Sequence, residues 1–257
     1  MGIIGNIIYS TISTKDKVEK HQKIIRDNEW NEIKGFIPRD SKFLDVGCGA
    51  GYAIFKAKKD YNCSVFGIDP EPGDHGVGRF IFNFNKNNIN INKGVSENIE
   101  FNDKEFEVVY SSHVLEHVEN EVKSLKEMKR VLKDDGILII GMPTATMALT
   151  NLISQIIFTT HLKVYQFFRF LFSKKILVNF IQIFRITSHS YPRANSIWYD
   201  IKNYKVSRWK KLIEEEFKII ETIKPCFYPY PDYPQFFKLH KNYFFSSSVF
   251  FICKKRR

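Results

Sequence analysis

Cysteine is scarce in this chain, and its spacing argues against two classes of small stapled domain. Only four cysteines occur in 257 residues, and no two of them form a C-x-x-C pair. A zinc ribbon or a disulfide framework needs paired or clustered cysteines. The sequence therefore predicts a fold held by an apolar core, in a reduced, cytosolic compartment.

Long apolar runs without charge or helix breakers are also missing. The longest uncharged stretch contains Gly141 and Pro143, so a membrane-spanning helix is not expected. The first eight residues are apolar, but they lack a basic region and a small-residue cleavage site, so we predict no signal peptide. Asn6 stands where a myristoylation site has serine or threonine.

Acidic residues are absent between Asp135 and Asp200, although the chain has 28 of them. The same stretch is rich in phenylalanine and carries six basic residues: Lys163, Arg169, Lys174, Lys175, Arg185 and Arg193. With a net charge of +11, the chain favours partners of negative charge, either nucleic acid or a membrane surface.

Three glycines at alternate positions follow a short apolar strand. Residues 43–46 predict a buried strand, residues 52–59 a helix, and the glycine turn lies between them. Because glycine has no side chain, such a turn brings backbone N–H groups close to a ligand. A second predicted strand, residues 65–69, ends in Asp69, from where a carboxylate can bind both ribose hydroxyls of a nucleoside. The three glycines are Gly47, Gly49 and Gly51.

The glycine turn departs from the dinucleotide fingerprint G-x-G-x-x-G. Its third glycine comes one position early. Asp45 lies two residues before the first glycine, and a carboxylate there would repel a pyrophosphate but suit a ligand with an ammonium and a sulfonium group. The pattern resembles the first motif of class I S-adenosylmethionine-dependent methyltransferases, and Asp69 resembles that family's ribose-binding acid. A glycine cluster without a ligand is the alternative.

The resemblance implies S-adenosylmethionine as cofactor and a set of residues that hold it. The family's adenine-binding acid is replaced here by Val95, which leaves two contacts open: the Ser96 backbone beside Val95, or Glu97 after a shift of register. The predicted cofactor-binding residues are Asp45, Gly47, Cys48, Gly49, Gly51, Asp69, Val95, Ser96, Ser111, Ser112 and His113.

Strands alternating with helices predict an α/β fold with a doubly wound, seven-stranded, mostly parallel sheet. The predicted strands are 43–46, 65–69, 89–94, 106–110, 137–140, 218–223 and 248–253, and the predicted helices are 15–34 (capped by Thr14), 52–59, 79–86, 120–133 and 206–217. We expect one domain: an N-terminal helical segment (1–40), a cofactor-binding core (41–143), a helical cap inserted after strand five (144–204), and a C-terminal helix with a β-hairpin (205–257).

The segment Ser111-Ser112-His113-Val114-Leu115-Glu116-His117-Val118 also spells the inverted zinc-protease motif H-x-x-E-H. That interpretation fails because the segment follows a predicted strand. It resembles instead the V-L-E-H-V segment of ubiquinone-type and related small-molecule methyltransferases, some of which hold a divalent metal there. For His113, Glu116 and His117 we favour a cluster that orders the loop, without metal, and leave a metal site as the alternative.

The expected reaction is methyl transfer to a small or amphiphilic acceptor, glycan- or lipid-linked. An oxygen acceptor benefits from a base near neutrality, for which His117 and His189 are the candidates. The cap is either buried with solvated lysines or lies peripherally on an anionic membrane. An RNA methyltransferase and a non-catalytic cofactor-binding scaffold are the rival hypotheses; nucleic acid is less favoured because no base-stacking motif accompanies the charge.

Overall fold

The computed structural model describes residues 15–73, 90–155, 188–190, 196–228 and 245–256. In these ranges seven strands form one sheet in the order β3-β2-β1-β4-β5-β7-β6. β1 to β5 pair in parallel, while β7 runs antiparallel between β5 and β6. The strands are β1 (Lys42–Val46), β2 (Ser64–Asp69), β3 (Asn90–Lys93), β4 (Phe106–Ser112), β5 (Leu132–Pro143), β6 (Phe217–Ile223) and β7 (Ser248–Lys255). The predicted doubly wound sheet is confirmed.

Within the described ranges five α-helices accompany the sheet, together with a short 3-10 helix (Lys34–Phe36) and a helical stretch at residues 145–155. Two of them begin at side-chain caps: Asn120 accepts a hydrogen bond from the backbone N–H of Lys123, and Ser196 accepts one from Trp198. The helices are α1 (Lys15–Ile33), α2 (Tyr52–Tyr61), α3 (Glu121–Val131), α4 (Ile197–Asn203) and α5 (Val206–Glu214). No helix among the described residues is long and apolar enough to cross a membrane.

Both faces of the sheet are buried, because successive side chains of each strand point to opposite sides. On β1, Phe43 packs in one cluster with Ile54 of α2, whereas Leu44 packs in the other with Met128 of α3 and Trp209 of α5. Because both faces are buried, β1 and β4 do not show the alternation of apolar and polar residues that a strand with one solvent-exposed face would have.

Several predicted boundaries are wrong by a few residues. The helix predicted to reach residue 133 ends at Val131, because Leu132 already pairs with Phe106 and β5 begins there rather than at residue 137. The last helix ends at Glu214 rather than 217, since the buried Phe217 begins β6. Three predictions lie wholly or mostly outside the described residues: the helix at 79–86, the helix N-cap at Thr14, and the helical cap insertion at 144–204.

The strand order places a ligand site at one edge of the sheet. β1 pairs with β2 on one side and with β4 on the other, so the chain reverses its direction of winding between β1 and β4. Ligands of open α/β sheets bind outside the carboxyl ends of the strands at such a switch point. The glycine turn after β1 and the H-x-x-E-H segment after β4 both lie there.

Gly141 tests how tightly the centre of the sheet is packed. A Cβ atom at this position would lie 2.4 Å from Cε1 of Phe250 and 2.9 Å from Oγ of Ser112. Gly141→Ala should therefore cost about 1–3 kcal/mol by overpacking, with the melting temperature falling about 2–4 °C per kcal/mol. Gly35→Ala is the matched control, because nothing lies within 4 Å of its new Cβ. Equal melting temperatures for the two variants would contradict the packing.

Candidate active site

The glycine turn forms a tight cradle at the end of β1. Gly47, Gly49 and Gly51 have φ values of 77°, 49° and 77°, which L side chains rarely adopt. The backbone N–H groups of Gly47 and Cys48 donate to the carbonyl of Ile68, at 2.8 and 3.1 Å, so the turn is tied to β2. A Cβ atom on Gly47 would lie 2.3 Å from Cγ2 of Val114. The turn is thus both left-handed and too crowded for another residue at position 47.

Asp69 is held at the end of β2 by two backbone bonds. Its Oδ2 accepts a hydrogen bond from the N–H of Gly49 at 2.8 Å, and its Oδ1 accepts one from Glu71 at 2.8 Å. An ionised carboxylate is acceptor-only and has about four lone-pair sites, so two remain for hydroxyl donors of a ligand. This buried acid beside the glycine turn fits the ribose of a nucleoside.

Asp45 is buried near the end of β1. Burial raises its pKa well above the usual range, and the charge of Asp69 raises it further, with only partial relief from Arg26. A ligand that carries positive charge would relieve this penalty. The cradle and the two acids therefore fit S-adenosylmethionine, whose ribose, ammonium and sulfonium match them.

The other predicted cofactor residues lie around this edge in different roles. Cys48 directs its buried thiol at Gly67, so its backbone alone belongs to the turn. Ser111 and Ser112 lie within β4 rather than in the loop where the sequence placed them, and Ser112 Oγ is 3.5 Å from Nη1 of Arg26. Their roles as cofactor contacts stay predictions.

The adenine contact also stays a prediction. Val95 is exposed and forms an isolated bridge with Asn98, and Ser96 hydrogen-bonds Ser124 through its hydroxyl at 2.8 Å. Glu97, the alternative, accepts a hydrogen bond from the backbone N–H of Glu119 at 3.1 Å. Polar atoms of Ser96 and Glu97 thus already have partners within the protein.

An ion pair on α1 was missed by the sequence analysis. Glu29 is buried and accepts hydrogen bonds from Arg26 at 2.6 Å, from Ser248 at 2.6 Å and from Tyr228 at 3.2 Å. Burial acts to raise the pKa of Glu29, but the Arg26 charge together with His113 and the Ser248 hydroxyl outweighs it, and the pKa falls to about 2. The i,i+3 spacing of two opposite charges on a helix was the available signal. The pair fixes α1 against β7 beside the candidate site.

The histidines of the H-x-x-E-H segment converge with His189 on one buried carboxylate. Oε1 of Glu116 lies 3.4 Å from Nδ1 of His113, 3.6 Å from Nε2 of His189 and 4.0 Å from Nε2 of His117. The rings of His117 and His189 are 5.1 Å apart. Both predicted candidate bases therefore lie at the end of β4, although they are far apart in sequence.

Charge in this cluster is distributed unevenly. Burial acts to raise the pKa of Glu116, yet the neighbouring imidazoles of His113 and His189 together hold it below its usual range. Burial and Arg26 act to lower the pKa of His113, but Glu116 and Glu29 outweigh them and raise it. Burial lowers the pKa of His117. His117 is thus the neutral imidazole near physiological pH.

Two backbone features hold the cluster in place. His113 has a φ of 57°, an uncommon value for a residue other than glycine, and its N–H donates to the carbonyl of Gly141 at 2.9 Å. The turn that carries His189 is anchored on α4, where buried Asp200 accepts hydrogen bonds from the N–H of His189 at 2.7 Å and from Ser188 at 2.8 Å. A strained residue held by its surroundings is typical of functional sites.

Comparison with known proteins agrees with this geometry. A family model described as a methyltransferase domain matches residues 44–140. A tRNA U34 carboxymethyltransferase of Nautilia profundicola is 35% identical over 113 residues, covering 44% of this chain and 38% of that protein. A ubiquinone biosynthesis O-methyltransferase of Pelagibacter ubique is 31% identical over 130 residues, covering 48% and 53%. The chain thus spans about two fifths to half the length of these relatives.

A solved structure, the SAM-dependent methyltransferase of Thermotoga maritima, shares the fold with a TM-score of 0.56 at 15% identity, covering 92% of this chain and 91% of that one. The sheet order is that of the class I methyltransferase fold, and residues 44–140 match a methyltransferase domain. The glycine turn and both acids lie inside that matched region. The predicted class, fold and cofactor are confirmed.

Asp69 provides the direct test of the ribose contact. Asp69→Ala should weaken S-adenosylmethionine binding by about 1.5–3 kcal/mol, the scale of a hydrogen bond to a charged group. Isothermal titration calorimetry would measure the change against Asp103→Ala, which removes an exposed acid from another edge. Equal affinities for the two variants would place the ribose elsewhere.

We expect Asp45 to lower the free energy of unfolding of the protein while it strengthens the binding of S-adenosylmethionine. Its folded-state pKa lies above the unfolded value of about 4, so its contribution to the free energy of unfolding falls as the pH rises from there. Asp45→Asn cannot ionise. The variant should therefore melt higher than the parent at pH 8, with the difference shrinking towards pH 4, and should bind S-adenosylmethionine more weakly. A lower melting temperature at pH 8 would refute this account.

Proposed function

We propose that this chain transfers the methyl group of S-adenosylmethionine to a hydroxyl group of a small or amphiphilic acceptor, such as a glycan- or lipid-linked intermediate. The observation that carries this proposal is the histidine cluster on Glu116 at the carboxyl end of β4, next to the glycine turn. A hydroxyl acceptor gains from a neutral imidazole within reach of its proton.

In this proposal His117 accepts the acceptor's proton and His189 supports it. The side chain of His117 is 36% exposed and that of His189 is 20% exposed, so His117 is the more accessible to an incoming molecule. When bound, S-adenosylmethionine would supply an electrophilic methyl group: the acceptor oxygen would bond to the methyl carbon as the C–S bond breaks, and S-adenosylhomocysteine would leave as a neutral thioether. The protein's part is to align the two molecules and exclude water.

Two features support an amphiphilic acceptor. One relative over the matched region bears the name of an O-methyltransferase of ubiquinone biosynthesis. Leu149, Ile153 and Trp198, in or near the segment after β5, expose large apolar side chains. Together with the basic residues of that segment, these side chains favour peripheral contact with an anionic membrane that carries the acceptor.

An RNA acceptor is the second candidate. The net charge of +11 suits a polyanion, and another relative bears the name of a tRNA U34 carboxymethyltransferase. A non-catalytic scaffold is the third. The three hypotheses differ in which substrate becomes methylated, so one assay separates them.

The assay measures transfer of radiolabelled methyl from S-adenosylmethionine to three acceptor sets: polyprenylated phenols in anionic vesicles, the same phenols in neutral vesicles, and bulk tRNA. We expect methylation in anionic vesicles, and less in neutral ones because each basic residue near an anionic surface contributes about 1 kcal/mol. His117→Gln should lower kcat about 10²–10⁴-fold, as expected for loss of a general base, without changing cofactor affinity.

A second variant tests the membrane contact of the segment after β5. In it, four basic residues are replaced by glutamine: Lys163, Arg169, Lys174 and Lys175. This variant should lose the preference for anionic vesicles yet retain cofactor affinity, because the cofactor residues lie in other segments. Labelled tRNA with unlabelled phenols would reverse the ranking in favour of RNA. Cofactor binding with no labelled acceptor in a broad extract screen would favour the scaffold.

A further inference from the structure

We propose that His113, Glu116 and His189 form a binding site for a divalent transition-metal ion of the zinc class. The site would join the end of β4 to the turn that precedes α4. It goes beyond the proposed methyl transfer, and it is testable without cofactor or acceptor.

The positions of the donor atoms suit such an ion. One ligand atom from each of the three residues lies within 4.8 Å of the others. Oε1 of Glu116 is 3.4 Å from Nδ1 of His113 and 3.6 Å from Nε2 of His189. Tetrahedral ligands at about 2.0–2.1 Å from zinc are about 3.3 Å apart. Two of the distances are thus close to the coordinated value, and the third pair of ligand atoms lies within 4.8 Å.

Glu116 is a buried carboxylate that the neighbouring histidines compensate without close hydrogen bonds. Its side chain is fully buried, and neither oxygen makes a well-formed hydrogen bond with the described residues. A buried carboxylate without such bonds is costly unless it is paired with a cation or coordinates a metal. Imidazole and carboxylate together are ligands that suit zinc.

A supporting acid lies behind His113. While Nδ1 of His113 faces Glu116, its Nε2 lies 3.7 Å from Oε1 of Glu29. Metal-bound histidines commonly donate their second N–H to a carboxylate, which fixes the ring and raises its basicity. Glu29 is itself held by Arg26 and Ser248. With an ion bound to Nδ1 of His113, a closer approach of Nε2 to Glu29 would complete a carboxylate–histidine–metal triad.

The third ligand distinguishes this site from the one that the H-x-x-E-H motif suggests. The motif offers His117, but its Nε2 is 4.0 Å from Oε1 of Glu116, farther than the same atom of His189. His189 comes from the segment after β5, and its backbone is anchored by Asp200. His117 is thereby left available for the acceptor. Three protein ligands with one open position are typical of a catalytic rather than a structural zinc site.

Cobalt provides the optical probe. The protein, stripped with a chelator, is titrated with Co²⁺ in the absence of S-adenosylmethionine, and visible d–d absorption is recorded, followed by displacement with Zn²⁺ and calorimetry with Zn²⁺ alone. We expect one ion per chain. His189→Gln and Glu116→Gln should each weaken Zn²⁺ binding at least tenfold, whereas His117→Gln should keep it within threefold. Glu29→Gln should weaken it about tenfold, as loss of a supporting acid does.

Three results would overturn the proposal: no Co²⁺ or Zn²⁺ binding by the folded parent, undiminished binding by His189→Gln, or a larger loss in His117→Gln than in His189→Gln. Far-ultraviolet circular dichroism of each metal-free variant checks its fold, and His189→Gln, in a turn, decides the matter where a buried variant fails to fold. Because no substrate is present, these outcomes are independent of whether the acceptor proposed above is correct.

Discussion

Buried negative charge at one edge of the sheet is the constraint on which the rest of the site depends. Four carboxylates lie there out of solvent, and each must be compensated because an isolated buried charge is costly. Asp69 is compensated by backbone N–H groups, Glu29 by Arg26 and hydroxyl groups, and Glu116 by histidines. For Asp45, the charge of Arg26 opposes the rise in pKa that burial and Asp69 cause, but does not cancel it. The incomplete compensation at Asp45 marks where a cationic ligand belongs.

The same edge collects the unusual backbone conformations. The glycine turn and His113 adopt left-handed φ values, and crowding by Val114 excludes a side chain at Gly47. Such positions persist only where surrounding contacts over-determine them. Here those contacts come from the sheet itself, through the carbonyls of Ile68 and Gly141. The sheet therefore both buries the core and sets the geometry of the loops that follow its strands.

Local patterns predicted the parts of the site that lie within a few residues of one another. The glycine turn, Asp45 and Asp69 were visible because each follows directly from a buried strand. The hydrogen bonds of Glu29 with Tyr228 and Ser248 could not be predicted, because these partners are 199 and 219 positions away from Glu29 in the sequence. They meet Glu29 only when α1 packs against β7. Leu132 was misassigned because an apolar residue at helical spacing also suits the first pair of a strand.

His189 shows how the fold changes the meaning of a motif. In sequence, H-x-x-E-H offers two histidines and a glutamate as a self-contained set. In the structure Oε1 of Glu116 lies 3.6 Å from His189 of the segment after β5, compared with 3.4 Å from His113 and 4.0 Å from His117. That segment carries the exposed apolar side chains and the excess of basic residues. A carboxylate shared between it and β4 couples the part of the chain that would meet an acceptor to the edge that holds the cofactor, so acceptor binding and alignment for transfer would depend on one buried group.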